Sequence, residues 1–90
     1  HPDGDYANLA RGRVKELYGM LAEKHYRIGV FYLADLRMDA SVFHFQKTVQ
    51  KYPETRWARY AVKRLRVIST DYPDSMAGRN AAAELQRAEG

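Results

Sequence analysis

The groups in this 90-residue chain able to do acid–base or ligand chemistry are three histidines, eleven carboxylates and fifteen lysines and arginines. A helix that binds a metal through imidazoles repeats them at short spacing, as in His-x3-His or His-Glu-x2-His. His1, His25 and His44 have no such spacing, so His25 and His44 read as packing residues. Paired carboxylates serve as general acid and base when they converge in a cleft that splits their pKa values. Asp35 with Asp39, and Glu54 with Asp74, are the available pairs. All four fall at expected helix ends and turns, where a carboxylate stabilises the helix dipole instead. With no cysteine there is no thiol nucleophile, disulfide or zinc–thiolate site. No G-x-S-x-G elbow and no glycine-rich phosphate loop occurs. The expectation is a protein without catalytic residues, cofactor or metal.

Binding chemistry is better represented. Arg56, Arg59, Lys63 and Arg66 recur at steps of three and four, which places them on one helical face, with Arg64 beside it. The net charge of +4 favours acidic partners: a protein surface, anionic lipid or nucleic acid. None of the usual nucleic-acid-binding motifs accompanies the stripe. Aromatic residues make up 12% of the chain. About half fall on expected inward faces, while Tyr26, Phe43 and Tyr60 fall off them and are expected at the surface, where aromatic anchors mark interfaces. The candidate partner-binding residues are therefore Tyr26, Phe43, His44, Arg56, Arg59, Lys63 and Arg66.

Four helices must position these residues. Ala7, Ala10, Val14, Leu17, Leu21, Ile28 and Phe31 recur at helical spacing with no proline among them, predicting one long helix over about 6–36. Gly12 and Gly19 are the points where it would kink. A turn at 37–39 follows, with Asp39 as the expected N-cap of a second helix over about 40–51. Ser41, Val42, Phe45, Val49 and Tyr52 are its inward face, and Pro53 ends it. A third helix over about 55–69 carries Trp57, Ala58, Ala61, Leu65 and Ile68. A fourth over about 75–88 carries the smaller Ala77, Ala81, Leu85 and Ala88 and reads as a cap on the stack. Tyr52-Pro53-Glu54-Thr55 returns twenty residues later as Tyr72-Pro73-Asp74-Ser75, a repeated helix stop and restart.

The window 22–55 matches the spacing of one tetratricopeptide repeat (TPR), a 34-residue helix–turn–helix. Its positions are held by His25, Ile28, Gly29, Tyr32, Ser41, Phe45 and Pro53, with the usual residue kept at Gly29, Tyr32, Phe45 and Pro53. Gly29 opens room where two helices approach, Ser41 faces it, and Tyr32 and Phe45 fill the seam. The expected fold is all-α, an antiparallel stack of TPR type forming a single domain over 1–90, with a disordered leader at 1–5.

The stretch from Leu21 to Leu33 (LAEKHYRIGVFYL) and that from Phe45 to Thr55 (FQKTVQKYPET) resemble the BamD family, the TPR lipoproteins of outer-membrane β-barrel assembly. The resemblance covers about residues 6–66 and is to the later repeats of that family. It implies a non-enzymatic scaffold at the periplasmic side of an outer membrane, with the barrel-forming partner's periplasmic domains contacting residues 22–52. The chain departs from the family in lacking the lipid-bearing cysteine and about half the repeats. It also has only Ser69-Thr70-Asp71 where a further loop and helix are expected. His1-Pro2-Asp3-Gly4 does not read as a signal peptide. Two other readings use the same residues: a basic helical module binding nucleic acid or anionic lipid, and a structural subunit buried in a larger complex.

Overall fold

The computed structural model describes residues 2–90, with side chains from Ala7 onward. The described residues form four helices and no strand: α1 (Pro2–Ala34), α2 (Met38–Lys51), α3 (Arg56–Asp71) and α4 (Met76–Glu89). The all-α stack expected from the periodicity is what forms. Each helix packs antiparallel to the next, and α1 also reaches α3, while α2 reaches α4. α1 sets the long axis of a body 57 × 29 × 14 Å across its Cα atoms.

Residues 2–5, expected as a disordered leader, are helical; His1 lies outside the described residues. Pro2 opens the helix where its missing N–H costs nothing, because the first N–H groups have no intrahelical partner anyway. Gly12 and Gly19 do not break α1.

The α1–α2 turn differs from expectation. Arg37, not Asp39, occupies the N-cap, with no side-chain hydrogen bond, and Asp39 lies inside the first turn of α2. The cause is the way α1 ends. Leu36 takes the left-handed conformation at φ 59°. The N–H of Arg37 donates to the Tyr32 carbonyl at 2.9 Å, and that of Leu36 donates to Leu33 at 3.1 Å. These two bonds are the Schellman closure of a helix C-terminus, here built on leucine where glycine is usual. The closure turns the chain within Asp35–Arg37, so α2 starts early.

The two Tyr-Pro turns are near copies. Tyr52 and Tyr72 end their helices at φ −131° with ψ 53° and 56°. Thr55 Oγ1 accepts from the Ala58 N–H at 3.2 Å, and Ser75 Oγ from the Gly78 N–H at 2.9 Å. Each hydroxyl also donates to the preceding tyrosine carbonyl, at 2.8 and 2.9 Å. One short sequence thus sets the same helix stop and N-cap twice.

The core runs from Val42, Phe45 and Val49 of α2 through Ala61, Leu65 and Ile68 of α3 to Ala77, Ala81 and Leu85 of α4. The small core residues Ala61 of α3 and Ala77 and Ala81 of α4 are buried to 2% exposure or less. Two polar side chains in it are satisfied: the Ser41 hydroxyl donates to the Gly29 carbonyl at 2.7 Å, and Thr48 to His44 at 2.9 Å. Glu84, also buried, accepts from Gln50 Nε2 and lies 3.6 Å from the Arg87 guanidinium.

Candidate partner-binding face

The hairpin register starts from a missing side chain. A Cβ on Gly29 would lie 2.6 Å from Cε1 of Phe45, so α2 sits closer to α1 than any larger residue permits. Ser41 pins the same crossing. Away from this contact the two helices leave an outer face covered by rings instead of by a third helix.

The rings form a connected file. Tyr18 lies 5.9 Å from Tyr52, Tyr52 6.1 Å from His25, His25 5.6 Å from His44, and His44 5.8 Å from Tyr32, all measured between centroids. Phe31 meets Tyr32 edge-on, and Phe43 meets His44 edge-on at 5.3 Å. The Lys47 ammonium stands 5.1 Å over the Phe43 ring. The tyrosines and histidines at the centre are half-buried, but Tyr18, Phe31 and Phe43 are 52, 68 and 51% exposed.

His25 and His44 are closer than their distance in sequence suggests: their Nδ1 atoms are 3.3 Å apart. The 5.6 Å between centroids equals that distance extended by a ring radius at each end, so the two nitrogens point at each other. A hydrogen bond across this gap requires one ring to carry its proton on Nδ1 and the other to leave its Nδ1 free to accept. The lone pairs do not converge on a third point. Among the described residues no further histidine or carboxylate completes a metal-binding group around them. Burial, followed by the charges of Lys51, Lys24 and Lys47, lowers the His25 pKa below its ordinary value. Burial, followed by His25, lowers that of His44.

The candidate residues therefore separate into three places. Phe43 and His44 sit on the ring-bearing face. Tyr26 does not: expected at the surface, it is half-buried on the other side of α1. There its ring contacts Phe45, Trp57 and Tyr60 at 5.6 to 5.9 Å, and its hydroxyl accepts from Arg64 Nε at 3.2 Å. The Arg27 guanidinium caps the same cluster, 5.5 Å from the Trp57 ring. Tyr26 ties α1 to α3 because the helix at that position faces the next helix and not solvent.

Arg56, Arg59, Lys63 and Arg66 are exposed along α3 as expected. Arg66 is paired with Glu89 of α4. Among the described residues, Arg56, Arg59 and Lys63 join no ion pair. Arg59, Lys63 and Arg66 edge a shallow groove of about 580 Å³ floored by Val62 and Val67. Arg56 and Arg59 also face a second groove of about 1030 Å³ beneath the stack, between the α2–α3 turn and the projecting half of α1.

Sequence reasoning missed Tyr18 and Phe31 as surface residues and missed the histidine pair. The signal was present: the antiparallel register that sets Gly29 against Ser41 also sets Tyr18 against Tyr52 and His25 near His44.

Comparisons of the chain with protein-family models, with curated proteins and with solved structures return no match.

Proposed function

We propose that this chain is a non-enzymatic protein-interaction scaffold of TPR type, akin to the later repeats of the BamD family, that holds a protein partner during outer-membrane protein assembly. The observation that carries the reading is the outer face of the α1–α2 hairpin. Phe31 and Phe43 stand more than half exposed on it, Phe31 at one end of a file of half-buried rings and Phe43 against His44 within it. Exposed aromatic rings clustered on one face mark interaction sites, whereas single exposed apolar residues do not. Aromatic residues dominate binding energy where they become buried. The close Gly29–Ser41–Phe45 crossing agrees with the repeat register at 22–55. The BamD resemblance supplies the partner class and the periplasmic setting.

The test is direct binding of the purified chain to the soluble periplasmic domains of a barrel-forming assembly protein. Binding that survives moderate salt supports the scaffold, and absence of binding refutes the BamD-like assignment.

Arg56, Arg59 and Lys63, which join no ion pair among the described residues, favour a second reading, a module for phosphate-bearing polymers or anionic lipid. Phosphate contacts release counterions, so that affinity would collapse between about 50 and 200 mM salt. An aromatic-anchored protein contact would not.

A further inference from the structure

Along α1 the apolar residues from Ala7 to Leu21 alternate steps of three and four, and the same register continues to Ile28 and Phe31. Lys24 is the single polar residue in it. A strict seven-residue repeat of this kind marks the narrow seam by which one helix packs on another, not the wider stripe of a helix facing a globular core. Yet α1 spends little of the seam on its own fold. Val14, Leu17 and Phe31 are 49, 53 and 68% exposed, and Ala10 is exposed as well. α2 packs beside the seam, where Ala22 and Gly29 are buried; Leu21 and Ile28 are half-buried at its edge, and Ala10, Val14, Leu17 and Phe31 are left exposed.

The charges around the seam are mostly positive. Glu16 and Glu23 lie on the side away from α2, where they share a groove with Arg11 and Val14, and Glu23 pairs with Arg27 at 2.6 Å. The heptad positions directly flanking the seam between 11 and 32 hold Arg11, Arg13 and Arg27 and no carboxylate, and of these Arg27 is already taken up by Glu23 and the Trp57 ring. Lys47 and Lys51 stand on the α2 side, close enough with Lys24 to disfavour a proton on His25. A second copy of the chain would bring the same cations to the same seam. A membrane surface would suit the charges, but a bilayer-lying helix calls for a broad apolar face instead of a two-in-seven seam.

Resting on the interaction-scaffold reading, we infer that the α1 seam docks an amphipathic helix of a partner protein. That helix carries apolar residues in heptad register and glutamate or aspartate at the positions flanking them. Its apolar residues would cover Val14, Leu17 and Phe31, and its carboxylates would meet Arg11, Arg13, Lys24 and Lys47.

The test uses the full chain and three fluorescent four-heptad peptides. One has apolar seam positions flanked by glutamate, one has lysine in place of each glutamate, and one is the acidic peptide scrambled. Fluorescence anisotropy should show the acidic heptad peptide binding at least about tenfold more tightly than either control, the scale that charge complementarity and seam packing supply together. Leu17→Gln with Phe31→Gln should cost about tenfold. Circular dichroism should show the same melting temperature, since both side chains are exposed. Arg11→Glu with Arg13→Glu should move the preference toward the lysine-flanked peptide. Equal binding of the scrambled peptide would reduce the effect to bulk charge and overturn the inference. So would seam-dependent dimerisation in sedimentation without peptide binding, or seam-dependent uptake onto anionic vesicles without it. If the acidic peptide fails while the seam variants still weaken binding to the periplasmic assembly domains, the partner chemistry is wrong and the scaffold stands.

Discussion

The ring of Phe45 occupies the space that a side chain on Gly29 would need, with only 2.6 Å between a Cβ placed there and the ring edge. Phe45 is fully buried, and Ser41 holds the Gly29 carbonyl from the same helix, so the ring cannot swing aside into solvent. Gly29→Ala should therefore destabilise the chain by about 1–3 kcal/mol through overpacking, although alanine is the better helix former. Gly12→Ala is the matched control, because nothing lies within 4 Å of a Cβ there. It should leave the melting temperature unchanged or higher. A Gly29→Ala protein that melts with the parent would refute the hairpin register.

Leu36 offers the opposite case. Its left-handed conformation disfavours any residue with a Cβ by about 1–2 kcal/mol, and its side chain is 75% exposed and contributes little packing. Leu36→Gly should raise stability by about 1 kcal/mol, read as a higher urea midpoint with unchanged slope. A lower midpoint would mean that the leucine side chain matters more than the backbone.

These two positions show what the sequence made legible. Gly29 and Ser41 were readable because the helix crossing demands small residues at fixed spacing. The two Tyr-Pro turns were readable because proline and a capping hydroxyl act locally. The helix C-terminus at Leu36 was not, because nothing in a leucine announces positive φ. Asp39 looked like a cap only as long as that closure was unseen. Tyr26 was misplaced for a different reason: its face of α1 is set by α3, and helix-to-helix angles do not follow from the periodicity of one helix.

Tyr26→Ala should accordingly cost stability, about 1–3 kcal/mol for an aromatic wedged between helices but only half-buried. Thermal melting reads it directly. An unchanged melting temperature would return Tyr26 to the surface.

The histidine pair should give the fold a pH dependence. Both pKa values are lowered from the ordinary 6.5, so on acidification the unfolded chain takes up protons first. Stability should be full above about pH 7 and fall as pH drops below 6.5 toward the folded-state values. Full protonation would set two N–H groups against each other across 3.3 Å. His25→Gln with His44→Gln should flatten the melting temperature between pH 7 and 5. A slope that survives this double variant would belong to other groups.

The central claim is that the ring-bearing face of the α1–α2 hairpin binds protein. It is tested most directly by the affinity of Phe31→Ala with Phe43→Ala for the periplasmic domains of a barrel-forming assembly protein, the partner class proposed above. The melting temperature is measured on the same samples. The account predicts at least about a tenfold loss of affinity, the scale of one anchor residue, with stability unchanged because both rings are more than half exposed. Unchanged affinity, or a loss of affinity explained by a loss of folding, would contradict it.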